Sequence, residues 1–112
     1  MDYEHVQITT TFASEADAQE LADHLTGAGL AACAQVLGPI TSSFRWKGKL
    51  EKATEWMCVM KSRSALAGRL VDVIGSRHPY ETPEITVIPI VGGSARYLDW
   101  IAAETEAATR GV

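Results

Sequence analysis

The run Thr54-Glu55-Trp56-Met57-Cys58-Val59-Met60-Lys61 constrains this chain more than any other stretch. As a strand it sends Trp56, Cys58 and Met60 to one side of a sheet and Met57 and Val59 to the other, because successive side chains alternate. Both faces are apolar, and such a strand needs cover on both sides. The chain has 112 residues, near the usual size of one domain. Two or three helices can cover one face of its sheet but hardly both. Self-association is the economical cover for the other face, which is therefore expected to be an oligomer interface.

The rest of the chain supplies the partners of that strand. Val6 to Phe12 is rich in β-branched residues and reads as a strand. Ser14 follows as a helix N-cap with Asp17 three residues on. Ala18, Leu21, Ala22 and Leu25 then recur at helical spacing, and Gly27 and Gly29 stop that helix. Leu30 to Trp46 reads as a long strand bent at Gly38-Pro39. Pro39 cannot donate a ladder hydrogen bond, so an edge or a bulge is expected there. Lys47-Gly48-Lys49 turns the chain into the return strand. Ser64 is expected to cap a second helix with the stripe Leu66, Leu70, Val73 and Ile74. That helix must end by His78, because Pro79 pushes its predecessor out of the helical region. Ile85 to Val91 is a further strand, with Pro89 again at an edge or bulge. Gly92-Gly93 turns the chain, and Ser94 caps a short last helix carrying Tyr97, Leu98 and Ile101. The order is an α+β, ferredoxin-like β-α-β-β-α-β sandwich with an extra C-terminal helix. No repeat or linker divides it, so residues 1–112 form a single domain.

Composition removes several classes of function. Apolar residues make up 46% and the net charge is −4, which argues against disorder. The basic residues are scattered, which argues against nucleic acid as a partner. No apolar run approaches a membrane span, and Met1-Asp2-Tyr3-Glu4 has neither the positive start nor the apolar core of a leader. A cytoplasmic protein is expected. Cys33 and Cys58 are isolated thiols with no C-x-x-C, so packing roles are expected of both. There is no Walker loop, G-x-G-x-x-G, G-x-S-x-G or H-E-x-x-H, and no asparagine at all. An enzyme is not expected.

The connector Ser76-Arg77-His78-Pro79-Tyr80-Glu81-Thr82-Pro83-Glu84-Ile85 concentrates the candidate chemistry. His78 ends a helix and suits either a metal ligand or a ring hydrogen-bonded to nearby backbone or a glutamate. Glu81 and Glu84 are further metal candidates. Three residues apart on extended backbone, their side chains are expected to point to opposite faces, which argues against a shared catalytic site. His5 and His24 are expected to face solvent. Trp46, Trp56 and Trp100 suit cores and interfaces, and Lys61 stands at a strand end where it can meet an anion.

Leu30-Ala31-Ala32-Cys33, the hairpin Phe44-Arg45-Trp46-Lys47-Gly48-Lys49, the connector His78 to Glu84 and Tyr97-Leu98-Asp99-Trp100 together resemble the CutA divalent-cation-tolerance family. The resemblance runs from about residue 6 to 104. It implies a ferredoxin-like protomer in a tight homotrimer, with an architecture like that of the trimeric PII regulators, and a role in tolerance of copper or other divalent cations. The copper ligands proposed for the family are a cysteine in the first strand and two histidines before Pro-Tyr. Here His78 matches the second histidine, Arg77 replaces the first, and Thr9-Thr10-Thr11 offers no thiol. The resemblance also implies a cleft between subunits, for which Arg45, Trp46, Lys61, Arg77 and Tyr80 are the candidate lining. The alternatives are a PII-like regulator holding an anionic metabolite through Lys61, Arg45 or Arg77, and a stable trimeric scaffold without ligand. An acylphosphatase-like enzyme on the same topology is more remote.

Overall fold

The computed structural model describes residues 3–110; Met1 and Asp2, part of the leader argument, lie outside them. Strand β1 (His5–Phe12) leads into helix α1 (Glu15–Gly27), then β2 (Cys33–Trp46) and β3 (Lys49–Arg63). A 3₁₀ turn (Ser64–Leu66) precedes helix α2 (Ala67–Arg77), and β4 (Ile85–Pro89), α3 (Ala95–Glu104) and α4 (Glu106–Arg110) complete the chain. The strands form one sheet in the order β2-β3-β1-β4, with every pairing antiparallel. This is the β-α-β-β-α-β order expected from the sequence.

Local chemistry accounts for the boundaries. The Ser14 side chain accepts a hydrogen bond from the Asp17 N–H at 3.1 Å, and the four residues of the α1 stripe are the buried ones. Beyond the helix, Gly29 takes φ 71°, and the N–H groups of Leu30 and Ala31 both donate to Leu25 O. Those bonds hold Leu30 and Ala31 in the helix exit, so β2 starts at Cys33 rather than Leu30. Lys47 and Gly48 form the hairpin turn with φ 51° and 80°, the positive angles that a two-residue hairpin turn with the twist of its strands requires. Between Leu37 and Ile40 the β2–β3 register shifts, so Pro39 lies both at a bulge and on an edge strand.

Two boundaries depart from expectation. Ser64 opens a 3₁₀ turn instead of capping an α-helix, and Leu66 occupies the cap of α2 with no side-chain bond. The Ser64 N–H is committed to Glu4 O at 2.8 Å, which fixes the chain to the start of β1 before the helix begins. The terminal helix is followed by a second one, α4.

The two faces of the sheet differ. Val6, Ile8, Cys58 and Met60 pack with α1 and α2 in the buried core. On the opposite face, Met57 stands across from Thr11 and Leu37, and Val59 across from Thr9 and Gln35. Helix α3 reaches only one end of that face. There His5 Nε2 is 2.9 Å from Leu98 O, and Cys33 Sγ is 3.4 Å from the Tyr97 hydroxyl. His5 is thus half-buried and bonded, and His24 is half-buried too, rather than both facing solvent. Leu37 and Ile88 remain 49% and 51% exposed.

Candidate functional site

The connector 78–84 is fastened to the sheet through His78. The ring is buried and stacks on Phe12 with centroids 4.3 Å apart and planes 7° from parallel. Its Nε2 donates to Thr11 O at 2.7 Å, and its Nδ1 accepts from the Tyr80 N–H at 3.1 Å. One nitrogen faces a carbonyl and the other an N–H, which fixes a single neutral tautomer.

Tyr80 extends the fastening outward. Its hydroxyl donates to Glu55 Oε2 at 2.8 Å, joining the connector to β3. Burial, followed by the hydrogen bond and charge of Glu55, pushes the Tyr80 phenol up to about 12. The chain bends through Pro79 to Thr82, which defeats the alternation expected of extended backbone. Glu81 and Glu84 therefore line the same groove instead of opposite faces.

That groove, about 810 Å³, lies between the connector and the β2–β3 hairpin. Its hairpin wall runs from Ser42 to Trp46, and Thr11 and Glu55 close it from the sheet. Arg45, Trp46, Tyr80, Glu81 and Glu84 meet there as a set. Lys61 does not: it lies further along β3 and donates to Gln35 Oε1 at 2.8 Å. Arg77 is exposed at the end of α2 and is not among the lining residues. Sequence reasoning missed Glu55. The available signal was a carboxylate set directly against an apolar run, on the side of the strand shared by Met57 and Val59.

The CutA1 divalent ion tolerance protein model matches residues 6–104. The chain belongs to this family. The divalent-cation tolerance protein CutA of Salmonella newport is 40% identical over 100 residues, 89% of this chain and 87% of that one. Among solved structures, CutA1 of Shewanella sp. SIB1 superposes with a TM-score of 0.89 at 30% identity, covering 94% of this chain and 98% of that one. CutA of Archaeoglobus fulgidus, described as periplasmic, gives 0.86 at 39% identity, with 90% and 98% covered.

The CutA family name raises the question of a metal, and the donors here answer it in part. Copper favours imidazole and thiolate. Both ring nitrogens of His78 are already engaged, Cys58 is buried in the core, and Cys33 stands beside Tyr97. Among the described residues no three His, Cys, Asp or Glu side chains converge as a metal set. Within one chain the residues do not fit a copper centre. Glu81 and Glu84 offer oxygen donors that suit harder divalent ions, and completing such a site takes ligands from outside the chain.

Proposed function

We propose that this CutA-type protein serves divalent-cation tolerance as a cytoplasmic homotrimer that binds metal ions as cargo and catalyses no reaction. The observation that carries this reading is the family match over residues 6–104. The open apolar strip of Leu37, Met57, Val59 and Ile88 supports assembly, since a neighbouring subunit would give it the cover that the helices do not. Glu81 and Glu84 supply oxygen donors on one groove, and a neighbouring subunit would have to complete their ligand set. His78 would join only by releasing Thr11 O or the Tyr80 N–H.

An anionic metabolite has less to hold it. Of Lys61, Arg45 and Arg77, only Arg45 lines the groove.

The test is calorimetric titration of chelator-stripped protein with copper(II) and, separately, manganese(II). Wild type is compared with His78→Ala and with the double variant Glu81→Gln/Glu84→Gln. Saturable binding at a fixed number of sites per trimer, lost in the double variant, is the expected result. Absence of binding in wild type would overturn the metal reading, and loss in His78→Ala alone would move the site to the imidazole.

A further inference from the structure

We draw no further inference here: the strongest candidate, the half-buried Cys33 thiol at the start of β2, 3.4 Å from the Tyr97 hydroxyl on α3, is a single cysteine at one end of the sheet face already described as the subunit contact, and nothing in the structure shows a ligand for it.

Discussion

Tyr80 and Glu55 lie 25 residues apart in sequence and share a 2.8 Å hydrogen bond, which joins the connector after α2 to the middle of β3. Through Tyr80 the same connector is tied to His78, and through His78 to Thr11 on β1. One short segment is thus bonded to two adjacent strands, and the groove beside it has a defined shape before any ligand arrives.

The pairing makes Tyr80 a late-titrating phenol. Its proton is held up to about 12 by burial and by Glu55, and Tyr97 is held up to about 12 by its bond to Cys33 and by burial. A raised folded-state value for an acid favours the neutral form in the native protein. The stabilisation is therefore fully present below the ordinary tyrosine value near 10 and is lost as pH rises from there towards 12. Ultraviolet titration of the phenolates should show that Tyr80→Phe and Tyr97→Phe each remove one late ionisation. A difference spectrum for either variant centred near pH 10 would contradict the assignment.

His78→Ala should destabilise the fold by about 2–4 kcal/mol, since it removes the ring stacked on Phe12 and leaves Thr11 O and the Tyr80 N–H to find new partners. Urea denaturation measures this directly. A loss below about 0.5 kcal/mol, the range of ordinary surface substitutions, would mean that the ring does not hold the connector.

Much of this fold was legible in the sequence, and the reasons for the remainder are physical. The α1 stripe and its Ser14 cap, the Lys47-Gly48 turn and the two-faced β3 all follow from local rules that tertiary structure did not override. Ser64 opens a 3₁₀ turn rather than capping a helix because its N–H is engaged by Glu4, a contact that local sequence does not encode. Glu81 and Glu84 line one groove because the alternation of side chains holds only on extended backbone, and the connector bends between its two prolines. Of the five residues that the resemblance implies for a cleft between subunits, Arg45, Trp46 and Tyr80 line one groove of the single chain. Glu55 stayed hidden because its role depends on the connector folding back over β3. Lys61 and Arg77 lie outside the groove within one chain, Lys61 because register puts it beside Gln35.

Gly38 stands where β3 leaves no room for a side chain. A Cβ at this position would lie 2.4 Å from Trp56 Cδ1, too close for either group to keep its place. Gly38→Ala should displace the indole and cost about 1–3 kcal/mol, as overpacking does. Thermal melting and a shifted tryptophan emission would register both effects. A variant with wild-type emission and melting temperature would show that the bulge relaxes freely around the methyl.

The open face of the sheet gives the sharpest test of assembly. Leu37 is 49% exposed and stands across from Met57, so an aspartate there disturbs little in a single chain. In a trimer that buries this face, the same aspartate would be an unpaired charge in an apolar contact, a costly arrangement. Light scattering of wild type should give about three times the 12.1 kDa chain mass. Leu37→Asp should shift that mass towards 12.1 kDa while its circular dichroism stays native. A wild type that scatters as a single chain would leave Met57, Val59 and Ile88 without their proposed cover, and the face would need another partner.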